Sequence, residues 1–180
     1  MTKREVRMLS LAAMQLRNDS VVWDVGAASG SVAIEAALIA AGGTVWAIEC
    51  DAEGVAHAEE NARNHGADNV RVIHGMAPDA LAELPAPDAV FVGGSKGSLA
   101  AIIERAVLAL RPGGRLVVNA ITMESVQQAH DAFKAHAITP EVTLVNISRA
   151  VPLARYLRYE ALNPIHIFAA DKPRNAKGSS

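Results

Sequence analysis

The sequence predicts an α/β fold, a doubly wound and mostly parallel seven-stranded sheet whose last strand runs antiparallel. Three observations predict it. Val21 to Val25 is an apolar run that ends in a turn of small residues and passes into a helical pattern from Val32 to Ala41, which opens a βα unit. Four further short, β-branched runs alternate with helical stretches, the pattern of parallel strands with helices on both faces. Two strands then close the chain without a full helix between them, which predicts a hairpin and one antiparallel strand.

Each element follows from local chemistry. Glu5 to Leu16 carries Val6, Leu9, Ala13 and Leu16 as a helical stripe and ends near Asn18-Asp19-Ser20. The helix after the first strand stops at Ala40-Ala41-Gly42-Gly43. Thr44 to Glu49 is a second strand, and Asp51 to His65 a helix closed by Gly66. Val70 to Gly75 is the third strand, followed by a short helix from Pro78 to Glu83. Pro85-Ala86-Pro87 turns the chain into a fourth strand, Asp88 to Val92. Ser98 to Leu110 is a helix, stopped by Arg111-Pro112-Gly113-Gly114. Arg115 to Ile121 is the fifth strand and Met123 to His136 the last helix. Val142 to Ile147 and Ile165 to Ala169 complete the sheet. The polar residues 172–180 are expected to be a disordered tail beyond a single domain of residues 1–171.

Composition narrows the function. The chain has 180 residues, of which 51% are hydrophobic and 20% charged, enough for one filled core. A net charge of −2 gives no basic footprint for nucleic acid. One cysteine, Cys50, rules out an intrachain disulfide and fits a reducing cytoplasm. The charged opening Thr2 to Arg7 lacks the apolar run of a signal peptide, and no stretch is long and apolar enough to suggest a membrane span. The six histidines show no zinc spacing, so no metal site is expected.

In a doubly wound sheet, ligands bind beyond the carboxyl ends of the strands where strand order reverses. The strand ends therefore hold the candidates. After the first strand, Gly26, Ala27, Ala28, Ser29 and Gly30 form a loop whose amides can approach an anion at a helix start, with Asp24 facing the same crevice. Glu49 follows that loop by about 20 residues, the place of an acid that hydrogen-bonds ribose hydroxyls. Gly75 and Ala77 leave room for an adenine ring at the end of the third strand. Gly93-Gly94-Ser95 after the fourth strand lets something bulky approach the backbone; Gly93 is expected beside a cofactor, Gly94 and Ser95 beside a substrate. Asn119 ends the fifth strand and is a candidate for orienting a reacting group. Arg149, Arg155 and Arg158 crowd the link between the last two strands, where guanidinium forks suit a substrate with several carboxylates. Their alternative reading is a solvated surface or an oligomer contact.

The loop Asp24-x-Gly26-x-Ala28-x-Gly30 resembles the first motif of class I S-adenosylmethionine (SAM) methyltransferases, a Rossmann-like fold in which the acid faces the methionyl ammonium. Ala28 replaces that motif's middle glycine and is expected to narrow the loop. A narrower resemblance covers Thr2 to about Ala170. The opening Thr2-Lys3-Arg4-Glu5-Val6-Arg7, Asp24-Val25-Gly26, Gly30-Ser31-Val32, Ala77-Pro78, the run Pro87 to Ser95 and the run Pro112 to Ala120 are similar to the decarboxylating precorrin-6B (or cobalt-precorrin-6B) C15-methyltransferases of cobalamin biosynthesis. Leu110-x-Pro112-Gly113-Gly114 before a strand is a further methyltransferase feature. The resemblance implies SAM held at Thr2, Gly26 to Gly30, Glu49 and Ala77. It also implies a tetrapyrrole substrate methylated at C15 with loss of CO2 from the C12 acetate, and a homotetramer. In some organisms this family stands alone, and in others it is fused to a C5-methyltransferase; both remain open here, as does a cobalt-containing or cobalt-free substrate.

Three other readings stand beside it. An NAD-dependent oxidoreductase would share the βαβ unit and Glu49, but Asp24, Ser31 and the Pro-Gly-Gly turn disfavour it. A methyltransferase of RNA or of another small molecule would keep the fold; the sequence pI of about 6.3 and the missing Asn/Asp-Pro-Pro-Tyr motif speak against nucleic acid. A non-catalytic SAM-binding protein is the third.

Overall fold

The computed structural model of the chain describes residues 2–174. Helix α1 (Arg4–Met14) leads into β1 (Val21–Val25), α2 (Ser31–Ile39), β2 (Thr44–Glu49), α3 (Ala52–Asn64) and β3 (Val70–His74). A single 3-10 turn (Asp79–Leu81) precedes β4 (Ala89–Val92), α4 (Leu99–Ala109), β5 (Arg115–Ala120) and α5 (Met123–Ala135). Four strands finish the chain: β6 (Glu141–Val145), β7 (Ser148–Leu153), β8 (Tyr156–Ala161) and β9 (Ile165–Asp171).

The main sheet has seven strands in the order β3-β2-β1-β4-β5-β9-β6. The pairs β1–β2, β2–β3, β1–β4 and β4–β5 are parallel, and β9 is antiparallel to β5 and to β6. The doubly wound sheet and its antiparallel last strand are as the sequence predicts. Two consequences of strand alternation place the core. Trp23, Val25, Val90, Val92, Leu116 and Val118 face α4 and α5, where they meet Ile102, Ile103, Ala106 and Phe133. Val22, Val45, Phe91 and Val117 face α1 and α2, where they meet Val6, Met14, Val32 and Ala36. The Trp23 indole donates to Pro85 O at 3.1 Å, so the Pro85–Pro87 turn satisfies the one polar atom of the largest buried side chain.

The link between β6 and β9 differs from expectation. Expected only to lack a full helix, it holds two further strands that form a second, antiparallel sheet, β7–β8, joined by a two-residue turn in which Ala154 takes φ 52°. Directly paired residues share a face of such a ribbon. Pro152 with Leu157 and Ala150 with Tyr159 therefore line one face, while Arg149 with Glu160 and Val151 with Arg158 line the other. Leu157 is 71% exposed and Tyr159 79%, so the apolar face is uncovered in the single chain.

The chain end also differs. Lys172 is held rather than loose: its Nζ donates to Leu108 O and Leu110 O, and its backbone pairs with Gly113 and Gly114. Of the expected disordered tail, residues 175–180 lie outside the described residues. No helix among the described residues is long and apolar enough to cross a membrane.

Candidate functional site

Strand order reverses between β1 and β4, and there the loops after the two strands touch. The amides of Gly26 and Ala27 both donate to Ile48 O at 3.0 Å, and Gly93 N donates to Val25 O at 3.0 Å. This seals the ends of β1, β2 and β4 together and leaves two crevices that share Gly26, Ala28 and Gly93.

The first crevice, of about 330 Å³, opens beyond β2 and β3 and is bordered by Glu49, Gly75, Met76 and Ala77, with Gly94 and Ser95 on its far wall. Its size is that of a small-molecule site. Glu49 is its fixed point. One carboxylate oxygen accepts from the Cys50 and Asp51 amides at 2.8 and 2.9 Å, the other from the Ala28 amide at 2.7 Å. Burial alone would raise the Glu49 carboxyl; the amides of Asp51, Ala28 and Cys50 outweigh it and hold the group below the ordinary carboxylate range. The acid is thus ionised and oriented. Room for it comes from Gly54, one turn into α3, where a Cβ would stand 2.8 Å from Glu49 Cγ. A glycine inside a helical pattern costs stability and so signals a close approach, and Gly54 within the 51–65 helical pattern is such a signal in the sequence itself.

Gly75 is narrow for a different reason, since a Cβ there would meet Ala80 Cβ at 2.8 Å. Met76 is 50% exposed and borders the crevice instead of filling the core. Cys50 also lines it, and burial, followed by the neighbouring Glu49, holds the thiol up, so it is not a thiolate nucleophile at neutral pH.

The second crevice, of about 210 Å³, lies over β1 and β5 and is bordered by Thr2, Lys3, Asp24, Asn119 and Asn163. Asp24 is 1% exposed, and neither carboxylate oxygen has a hydrogen-bond partner among the described residues. Burial pushes its carboxyl up to about 7; the Ala33 amide on α2, near but not in hydrogen-bond geometry, pulls the other way, and the Glu49 charge adds to the rise. A buried acid without a donor is costly unless something arrives to satisfy it. This wall suits the cationic end of a ligand.

The loop residues divide. Gly26, Ala27 and Ala28 reach the crevices. Gly30 turns away: with φ 75° it caps α2 and packs against Ala58 of α3. Ser29 gives its carbonyl to Asn61 Nδ2 at 3.0 Å. Both are structural supports of the loop, and neither lines a crevice. Ala28 adopts φ 49°, the left-handed conformation for which a glycine is suited, and its N–H is fixed on Glu49.

The arginines lie elsewhere. Arg149, Arg155 and Arg158 border neither crevice. The Arg149 guanidinium donates to both Glu5 oxygens at 2.8 and 3.0 Å, which ties β7 to the first turn of α1. Arg155 sits over the Tyr156 ring at 5.1 Å from its centroid, and Arg158 reaches Glu160 at 3.7 Å. Sequence proximity put the three in one cluster; the ribbon spreads them along a sheet that projects from the site. Arg7 completes the fastening of α1, its Nε 2.7 Å from Glu35 on α2. The Thr-Lys-x-Glu-Val-Arg opening is therefore a strap pinned on both sides, with Thr2 and Lys3 held at the rim of the Asp24 crevice. Among the described residues no cluster of three or more His, Cys, Asp or Glu side chains is placed for a metal ion.

Comparison with known proteins specifies this architecture. A family model described as a precorrin methyltransferase domain matches residues 1–172. The chain is 41% identical over 172 residues to a probable cobalt-precorrin-6B C(15)-methyltransferase (decarboxylating) of Pyrobaculum calidifontis, covering 94% of this chain and 88% of that one. It is 39% identical to a precorrin-6Y C(5,15)-methyltransferase [decarboxylating] of a Sinorhizobium species, over 91% of this chain but 39% of the longer relative. Among solved structures, a precorrin-6Y C5,15-methyltransferase from Geobacter metallireducens superposes with a TM-score of 0.90 at 36% identity, covering 96% of this chain and 91% of that one. Fold, loop and sequence agree along nearly the whole length, and the chain belongs to the precorrin methyltransferase domain family.

Proposed function

We propose that this chain is a SAM-dependent C-methyltransferase that acts at C15 of precorrin-6B or cobalt-precorrin-6B, with loss of CO2 from the C12 acetate. The observation that carries the reading is the orphaned Asp24 carboxylate in a crevice that shares Gly26, Ala28 and Gly93 with the one that Glu49 anchors. Such a pair of crevices asks for one ligand with a cation at one end and a polyhydroxylated, flat body at the other. The residues fit SAM: Asp24 and Thr2 toward the methionyl end, Gly26 to Ala28 along its length, Glu49 toward the ribose, Gly75 and Ala77 beside the adenine. NAD has no ammonium to donate hydrogen bonds to Asp24, since the one cation it carries is a nicotinamide ring nitrogen without an N–H.

When bound, SAM supplies a methyl on a sulfonium, ready for transfer to a carbon nucleophile. The chain's own residues bind and align. Gly93 is common to both crevices and stands beside the reacting centre, where any larger side chain would meet the Phe91 ring, 2.8 Å from a Cβ at this position. Gly94 and Ser95 border the substrate side, and Asn119 faces it from β5. Positioning of this kind supplies several kcal/mol of a barrier, about 7 or more in well-oriented cases, so no strong protein base is required. Arg155 and Arg158, exposed on the ribbon away from both crevices, are left as candidates for carboxylates at the substrate's periphery, and Arg149 holds the strap.

A homo-oligomer, with four copies as the expected state, belongs to the same proposal. It is supported by the uncovered Pro152, Leu157 and Tyr159 face, because an isolated two-stranded ribbon is only marginally stable. The reducing cytoplasm, consistent with a single cysteine, is its proposed location. Calorimetric titration with S-adenosylhomocysteine and, separately, NAD tests the cofactor; micromolar binding of the first with none of the second is expected. Conversion of cobalt-precorrin-6B with release of CO2 tests the reaction. NAD binding alone would overturn the reading, and SAM binding without turnover of either tetrapyrrole would leave a non-catalytic SAM-binding protein.

A further inference from the structure

Ser10 lies in the middle of α1, fully buried, on the outer side of the wall that Asn119 presents to ligand. Its Oγ is 2.8 Å from Val6 O, 3.0 Å from Asn119 Nδ2 and 3.2 Å from Asn119 Oδ1. A hydroxyl has one proton to give. A helical serine ordinarily gives it to the carbonyl four residues back, and here that contact is the shortest of the three. Ser10 Oγ is then only an acceptor toward Asn119, and the carboxamide must turn its NH2 to it. Among the described residues Asn119 has no other side-chain hydrogen-bond partner, so this single bond decides which way the amide points. Asn119 borders both the Asp24 crevice and a groove formed with Ser95, Thr122 and Ser125, and thus stands where cofactor and substrate meet.

We propose that Ser10 is a positioning residue for the methyl transfer: by accepting from Nδ2 it fixes which edge of the Asn119 carboxamide carries the NH2 and which the carbonyl oxygen, and so which atoms the ligands meet. The inference rests on the functional reading above for its effect on rate, but the lock itself is a property of the free chain. The role explains a polar side chain that is otherwise buried among Val6, Leu11 and Met14 without benefit to packing.

Two measurements test it. In the free protein, one Asn119 side-chain amide proton exchanges slowly with solvent by NMR and becomes fast in Ser10→Ala; equal exchange in the two overturns the lock, whatever the protein turns over. For catalysis, single-turnover rates with SAM and cobalt-precorrin-6B are compared in wild type, Ser10→Ala, Asn119→Ala and the double variant. Ser10→Ala is expected to slow the wild type by roughly 10-fold with S-adenosylhomocysteine affinity kept, as misalignment without lost contacts does. In the Asn119→Ala background the same change should have no further effect, and Ser10→Thr should restore most of the rate. An equal loss in both backgrounds would make Ser10 structural, and an unchanged wild-type rate would remove the role. Inactivity of the wild type itself would instead overturn the functional reading, leaving the exchange measurement to decide the lock.

Discussion

Gly26 and Gly94 lie backbone against backbone, and the relationship is one-sided. A Cβ on Gly26 would stand 2.6 Å from Gly94 O and 2.7 Å from Gly94 N, whereas a Cβ on Gly94 would meet nothing of Gly26 closer than 3.8 Å. The close approach of the two loops therefore depends on the missing side chain of Gly26 and not on that of Gly94. Gly26 also takes φ 76°, so a side chain there is strained as well as blocked. Gly26→Ala is expected to cost about 3 kcal/mol or more and to abolish S-adenosylhomocysteine binding. Gly94→Ala should lower stability by less than about 1 kcal/mol. Thermal melts of both variants with and without S-adenosylhomocysteine check this; comparable losses would show that the contact is not what constrains Gly26.

Ala28 carries the opposite lesson. Its φ of 49° is unfavourable for a residue with a Cβ, yet its N–H must sit 2.7 Å from Glu49 to complete that carboxylate's shell. Ala28→Gly relieves about 1 kcal/mol of left-handed strain and returns part of it as unfolded-chain entropy. The variant should therefore be more stable by about 0.5 kcal/mol, with cofactor affinity equal or better. A lower melting temperature would mean that the methyl packs usefully where it is.

The sheet was legible because its strands are apolar runs cut by glycine and proline, and the antiparallel β9 because no crossover helix precedes it. Asp24 and Glu49 were legible because strand ends at the reversal point are where ligands go. The ribbon β7–β8 was not. Its strands contain Pro152 and a mixture of charged and apolar residues on one face, and its turn uses Ala154-Arg155 in place of the glycine or asparagine that marks a hairpin. Without that ribbon the partner of Arg149 could not be foreseen, since Glu5 is 144 residues away. Ser10 was equally hidden: a serine in a helix pattern looks like a surface residue until β5 is packed behind it.

The Glu5–Arg149 bond yields a test of what the strap does. A hydrogen bond from the Glu5 backbone, and then the Arg149 guanidinium, hold the Glu5 carboxyl low, so the pair is ionised at neutral pH. Both side chains are largely solvent-facing, and neither Glu5→Gln nor Arg149→Ala should change the melting temperature much. Each should weaken S-adenosylhomocysteine binding by roughly two- to five-fold through the loosened Thr2-Lys3 rim, and the double variant by no more than either. Calorimetry on the three variants decides it. An effect of Arg149→Ala on tetrapyrrole KM that Glu5→Gln does not share would restore Arg149 as a direct substrate ligand.

Asp24 should make both stability and cofactor affinity depend on pH. In the folded free chain its carboxyl titrates at about 7, against 3.8 for the ordinary group. Between those values the folded chain keeps a proton that the unfolded chain has released, so this contribution to stability is full below about 4, falls as pH rises toward about 7 and is flat above. Glu49, held low by its three amides, works in the other direction and is lost only as pH falls through the acid range. Lys3 at the rim and Glu49 beyond Ala28 are the charged groups facing the same space. A ligand ammonium prefers the ionised Asp24, so S-adenosylhomocysteine affinity should rise with pH and level off above about 7. Asp24→Asn removes the charge at nearly constant shape. It should raise the melting temperature of the free protein at a pH above 7, flatten its dependence on pH through the neutral range, and weaken the ligand most at high pH. Melting curves and titrations at matched pH values give the answer, and an affinity that rises as steeply in the Asp24→Asn protein would assign the titration to another group.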